Sequence, residues 1–344
     1  MGFKDYLKRL KINNCFKGAI LVFFAMLNNR AGVGVGRLDW NFTFGTLAFI
    51  AIVASGMFTS KFYKEKGKII AEGRKKSAIT QFMVALGIGF GIGLALGAGI
   101  YHYIFTNDYI VILTILLLAF GIFVGNYFLT RKIFQISYTS FGSWLGIGVA
   151  LAAWNGMICD TLPITLGFSI SIGVIWIIIA MYGERVIENG AIKNLLDTLP
   201  VSAGLIYGAA INGVIISLPI YLFFIALSSL LVSREIIKDS MVAVNMRKKD
   251  EFTMPGTIGM KKSLNAARFL QGITIIGLTI AIFSGLINNA LYSYPLLVVL
   301  ILGIYVLVML RDAANATKRK LNGLRRNQRW AVFLTYLAII FAAI

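Results

Sequence analysis

Eleven stretches of mostly apolar residues follow one another along the chain, separated by polar connections. They run roughly over Cys15–Val35, Phe42–Ser60, Ile79–Phe105, Tyr109–Leu129, Phe141–Met157, Leu166–Tyr182, Pro200–Ser217, Ile220–Ser233, Phe269–Leu286, Leu291–Leu310 and Trp330–Ile344. Their apolar positions are continuous rather than alternating, and several approach the ~20 residues that a spanning helix needs. The pattern predicts an all-α, polytopic membrane bundle of about eleven spans, one integral membrane domain over residues 1–344. It excludes a β-barrel, whose strands alternate with period two. Asn28, Asn29 and Arg30 interrupt the first stretch, and the seventh and eighth meet at Leu218–Pro219, which predicts a very tight hairpin.

Composition strengthens this picture. Hydrophobic residues make up 58% and charged residues 14%, and the mean hydropathy is +0.81. Soluble domains hold roughly 45–50% apolar and about 25% charged residues. A water-soluble enzyme, a disordered chain and a disulfide scaffold are therefore excluded. The two cysteines, Cys15 and Cys159, form no CxxC, and His102 is the single histidine, so neither zinc nor a redox pair finds support. Met1–Phe16 is basic but lacks a small-residue cleavage site after it, so no cleavable leader is expected.

The net charge of +19 first suggests nucleic acid. The distribution of charge removes that need. With the N-terminus inside and each stretch crossing once, 31 of the 33 Lys and Arg fall in inside segments, leaving Arg30 and Arg37. Positive-inside bias explains such a split. The expectation is a multi-pass protein of the cell membrane, N-terminus cytoplasmic and C-terminus outside, with no specific nucleic-acid partner. Inside loops at 61–78, 234–268 and Arg311–Arg329 carry most of the charge, so chemistry on a phosphorylated substrate belongs at the cytoplasmic face. None of the 14 acidic residues is expected mid-span, which argues against a carboxylate-coupled carrier.

Within the third stretch Gly87 and Gly91 are four apart, as are Gly93 and Gly97, spacing that lets helices approach closely. The GVGVG run at 32–36 follows no strand and is no dinucleotide loop. Thr-Leu-Pro occurs at 161–163 and 198–200, where each proline suits the first turn of a helix.

The second of these inside loops, 234–268, carries more. It opens Arg234-Glu-Ile-Ile-Lys-Asp239 and closes with Thr253-Met-Pro255 and Gly259. This resembles the second aspartate-rich signature of the UbiA superfamily of intramembrane prenyltransferases, most nearly its archaeal members that make digeranylgeranylglyceryl phosphate. In that family REIIKD precedes two further acidic positions and a Thr-Leu-Pro with a later glycine. The offset from Asp239 to Thr253 is fourteen, as in the family. The Asp5-Tyr-Leu-Lys-Arg-Leu entry with Asn14-Cys15, and the Ala316-Thr-Lys-Arg-Lys tail, resemble the family's first and last helix approaches. The resemblance implies nine core spans; an added hairpin of two spans would give eleven.

It also implies a site. Carboxylates of two motifs would hold Mg²⁺ against the diphosphate of a prenyl donor, since Mg²⁺ takes hard oxygen ligands together with substrate phosphates. Here the pattern departs. Asp239 is in register, but the next two acidic positions read Val242 and Met246, and the glycine before the last reads Asn245. The first motif reads Thr59-Ser60, Tyr63 and Gly67 in one register and Asn126, Leu129 and Ile133 in another. The candidate substrate-binding residues are Arg234, Glu235, Lys238, Asp239, Asn245, Lys61, Lys64 and Glu65, with Asp239 the candidate metal ligand. Three readings stand open. One is a prenyltransferase-like protein that binds an isoprenoid lipid or isoprenyl diphosphate, having lost the usual carboxylates, or that serves a membrane complex. The second is an active, Mg²⁺-dependent prenyltransferase with a rearranged site. The third is a transporter or channel.

Overall fold

The computed structural model describes residues 12–29, 39–56, 75–106, 136–187, 190–213, 215–245, 253–283, 290–311 and 317–343. Every regular element among them is helical. In chain order these are α1 (Ile12–Asn28), α2 (Asn41–Gly56, its first turn a π-helix), α3 (Lys75–Thr106), α4 (Ile136–Ile158), α5 (Leu162–Ile187) and α6 (Gly190–Ser202). There follow α7 (Gly204–Ala210), α8 (Leu218–Asn245), α9 (Met254–Ile258), α10 (Met260–Phe283), α11 (Ala290–Met309) and α12 (Lys318–Ala343). Three helices are long and apolar enough to cross a membrane: Phe82–Tyr101 in α3, Ser140–Ile158 in α4 and Ile220–Val244 in α8. Shorter apolar helices occupy Asn14–Asn28, Asn41–Gly56, Leu162–Ile177 and Pro295–Met309. The all-α membrane bundle expected from the hydrophobic pattern is what the chain forms.

Several boundaries differ from the sequence expectation. The seventh stretch is two pieces, because the helix ends at Ser202, restarts at Gly204 and gives way to irregular backbone from Ile211. Pro200 sits inside α6 rather than at its start, whereas Pro163 does occupy the first turn of α5. The helix expected over Ile220–Ser233 continues to Asn245, so Arg234–Asp239 is helix rather than loop. Asp239 therefore falls within the apolar segment Ile220–Val244, near its C-terminal end. Likewise α12 begins at Lys318, inside the third expected loop. The stretch Tyr109–Leu129 lies outside the described residues.

The chain divides into two compact units, Met1–Ala19 with Arg30–Met181 and Ala210–Gly213, and the remainder. In the first, α3 and α4 touch backbone to backbone. A Cβ on Gly142 would meet the Phe82 carbonyl at 2.6 Å, and one on Gly146 the Leu86 carbonyl at 2.3 Å. A Cβ on Gly89 would meet the Ser143 carbonyl at 2.2 Å, and one on Gly97 the Trp154 ring at 2.2 Å. Small residues let lipid-embedded helices gain dispersion contact where no hydrophobic effect draws them together. Contacts that rise in number together on both helices make the two parallel. Four rings, Trp40, Phe44, Tyr101 and Trp154, form a closed stacked circuit with centroids 5.6 to 6.4 Å apart. Beside it Asn155 donates to Asn41 Oδ1 (3.0 Å) and Asn41 to Asn212 Oδ1 (3.1 Å), all three buried.

The second unit is built around α8. Its core joins Val232, Ile236 and Ile237 of α8 to Leu264 and Ala267 of α10, Val306 of α11, and Leu321 and Leu324 of α12. Polar bonds tie the same helices. Ser233 donates to the Ala267 carbonyl (3.0 Å), and the fully buried Gln328 donates to Ser233 Oγ (2.9 Å) and Gln271 Oε1 (3.2 Å).

The charge split supplies a topology test. Ile215 is 95% exposed between α7 and α8, while Cys15 and Cys159 are both buried. With native thiols silent, Ile215→Cys should react with an impermeant maleimide added outside intact cells, and Lys262→Cys should not. Labelling of Lys262→Cys from outside would overturn the cytoplasmic N-terminus.

Candidate functional site

The REIIKD segment occupies the later turns of α8. Residues three and four apart on a helix share a face, so Glu235 reaches Lys238, and the long Arg234 side chain folds over to the same carboxylate. Glu235 accepts a hydrogen bond from each of them. Its side chain is 13% exposed, against 24% for Arg234 and 41% for Lys238. The sequence reading expects Arg234 and Lys238 near Asp239, one helical turn apart; their hydrogen bonds go to Glu235, and Lys238 stands beside Asp239 as a nearby charge.

Asp239, one turn beyond Glu235, is buried and faces α6. Lys193 is the leading favourable charge beside it, and the Asn194 side chain lies next to its carboxyl. Asp239 Oδ2 and Asn194 Nδ2 are both buried without a hydrogen-bond partner among the described residues. An unpaired polar atom out of water is costly; here the Asn194 amide is the hydrogen-bonding neighbour of the Asp239 carboxyl.

What holds α6 here is local. Thr253 caps α9, its Oγ1 accepting from Gly256 N (3.2 Å), with Pro255 in the first turn. Gly259 ends α9 at φ +87°, a left-handed conformation that glycine adopts without a Cβ penalty. The backbone of Thr253 and Met254 then packs on Gly190, where a Cβ would lie 2.1 Å from Met254 N. From there Gly190, Asn194, Thr198 and Ser202 form a buried stripe at four-residue spacing. Ser228 of α8 donates to Ser202 (2.8 Å), so α6 runs antiparallel along α8 toward Asp239. The Thr-Met-Pro and Gly259 signature thus positions Asn194 and Lys193, which the sequence reading missed. The four-residue repeat of small and polar residues was the available signal.

A second missed residue comes from α12. Arg325, half-buried, donates to the Met241 thioether at 3.7 Å. Met241 follows Lys238 by three and Arg234 by seven, so these positions line one face of α8. Of the remaining candidates, Lys61, Lys64 and Glu65 lie outside the described residues, and Asn245 is the last residue of α8.

Both Glu235 oxygens are engaged by cations, Asp239 has one unpaired oxygen, and no group of three or more His, Cys, Asp or Glu converges among the described residues. The arrangement suits an anion met directly by Lys and Arg, whose charge-assisted bonds to phosphate are the strong ones.

No protein-family model matches the chain, and no curated protein does. A solved structure described as digeranylgeranylglyceryl phosphate synthase in membranes matches over 99% of this chain and 98% of that one. The TM-score is 0.60 and the identity 15%. The chain therefore shares the UbiA-type fold of that synthase.

Proposed function

We propose that this protein binds the headgroup of an isoprenoid lipid, an isoprenyl phosphate or diphosphate, at the C-terminal end of α8. The observation that carries the reading is the surplus of cations there. Arg234 and Lys238 both bond Glu235, Arg325 reaches Met241 one turn on, and Lys193 stands beside Asp239. The UbiA-type fold supports it, since the similar structure is named for a synthase of a prenylated glyceryl phosphate. The site faces the cytoplasm in a multi-pass cell-membrane protein, and recognition runs through Lys and Arg rather than through metal. On this reading the protein is a binder of isoprenoid lipid, or a subunit of a membrane complex, descended from the archaeal type of synthase with its carboxylates lost.

The test is direct. Purified protein should bind geranylgeranyl diphosphate with affinity little changed by EDTA. That affinity should fall as salt rises, because partly exposed charges are screened over roughly 8 Å at physiological ionic strength. No binding by intact, folded protein would end the proposal. One observation favours the second reading, an active prenyltransferase: the unpaired Asp239 Oδ2 is available to a Mg²⁺ brought by the substrate. Turnover with an acceptor lipid, abolished by EDTA and by Asp239→Ala, would establish that reading instead.

A further inference from the structure

Among the described residues Arg325 is a charged side chain without a charged partner. A guanidinium carries five donors and stays protonated at every physiological pH. Arg325 is half-buried on α12, beside Leu321, Leu324 and Gln328, which are all buried. Its hydrogen bond is to Met241 Sδ at 3.7 Å, and no ion pair engages it among the described residues. A thioether is a weak acceptor, so removing this cation from water is poorly compensated. The helix offers no remedy, since α12 contains no acidic residue.

Register places this guanidinium at the candidate site. Gln328 of α12 bonds Ser233 of α8, and Arg325 bonds Met241, so α12 runs antiparallel to α8 with Arg325 beyond the Lys238 turn. From Arg234 to Met241 the helix rises about 10 Å at ~1.5 Å per residue. Three cations are therefore spread along one short face. One carboxylate, Glu235, is shared by two of them, and none serves the third.

We propose that Arg325 is a binding residue for phosphate oxygens, supplied by the last helix and held in reserve against Met241 until an anion arrives. This inference rests on the isoprenyl-phosphate reading above and sharpens it. With Lys193 and Asp239 counted, four cations stand against two carboxylates, a surplus of two positive charges that matches a diphosphate better than a neutral or singly charged headgroup. The planar fork of Arg325 then grips two oxygens at once, where Lys238 meets them as a point charge.

The experiment measures binding of geranylgeranyl diphosphate to the full-length protein in detergent or nanodiscs, with inorganic pyrophosphate as competitor. Arg325→Gln should weaken binding about tenfold or more, as expected for losing a charge-assisted bond. Arg325→Lys should recover only part of that loss, since it restores charge without the fork. Met241→Leu, which removes the resting acceptor, should bind at least as tightly as wild type. Pyrophosphate should compete with wild type and lose potency against Arg325→Gln. Unchanged affinity in a folded Arg325→Gln protein would overturn the role of Arg325 while leaving the headgroup reading in place. If that variant does not fold, full wild-type affinity in Arg325→Lys overturns it equally. No binding by wild type would overturn both.

Discussion

Gly146→Leu will not give a folded, monodisperse protein. A Cβ at this position would stand 2.3 Å from the Leu86 carbonyl oxygen and 2.6 Å from Phe90 N. These are backbone atoms of α3, so no rotamer change can yield space. Gly142 and Gly89 make equivalent contacts from opposite sides, which closes the seam to any separation at one point alone. Overpacking costs about 1–3 kcal/mol where side chains can adjust, and here two long helices must part instead. The matched control is Gly87→Leu, on the same helix α3, whose Cβ would meet nothing within 4 Å among the described residues. Size-exclusion profiles and thermal melts in detergent should show the first variant aggregated and the second near wild type. Equal melting temperatures would mean that the α3–α4 seam is not set by backbone contact.

That contrast was half visible in the sequence. The spacing of Gly87, Gly91, Gly93 and Gly97 announces close helix packing, but not which glycines face the partner helix. Gly93 and Gly97 meet α4, whereas Gly87 and Gly91 do not. Period alone cannot separate two small-residue faces on one glycine-rich helix. The long apolar runs were legible for a simpler reason. Lipid demands internally bonded backbone over about twenty residues, and α3, α4 and the start of α8 follow that demand. The reading fell short where helices carry charge. Lys318–Arg329 is helical because Lys, Arg, Leu and Gln are good helix formers, and Arg234–Asn245 continues a helix already begun in the apolar run, yet a hydropathy pattern marks both as loop. Pro200 misled in the opposite way, since it lies in the last turn of α6, two residues before its end, rather than at a start.

The candidate site divides along the same line. Arg234, Glu235, Lys238 and Asp239 were found because one contiguous motif carries them. Their partners were not, because Asn194 and Arg325 reach the site from distant parts of the chain, through α6 and α12. Four-residue spacing favours Lys238 and Arg234 on a common face, but the carboxylate between them is Glu235, and burial turns Asp239 toward α6 instead.

Gly190→Val tests whether α6 belongs to the site or merely packs near it. The Cβ of valine would fall 2.1 Å from Met254 N and 2.3 Å from the Thr253 carbonyl carbon. The clash is again with backbone, in the capped turn that Thr253 and Gly259 fix. α6 has only thirteen residues and is held at its far end by the Ser202–Ser228 bond, so its first turns must swing away while its last stay docked. Lys193 and Asn194, within a turn of the clash, then leave Asp239 buried with Lys238 as the cation that remains beside it. The expected local cost is about 1–3 kcal/mol, and affinity for geranylgeranyl diphosphate should fall at least about tenfold for that loss. Hydrogen exchange should rise across 190–199 and stay unchanged across 225–235. Gly323→Val, on α12 with no atom within 4 Å of its added Cβ, should leave both readouts near wild type. If Gly190→Val loses exchange protection at α6 yet keeps its affinity, then Asn194 and Lys193 serve the fold, and the headgroup is held by the α8 and α12 cations alone.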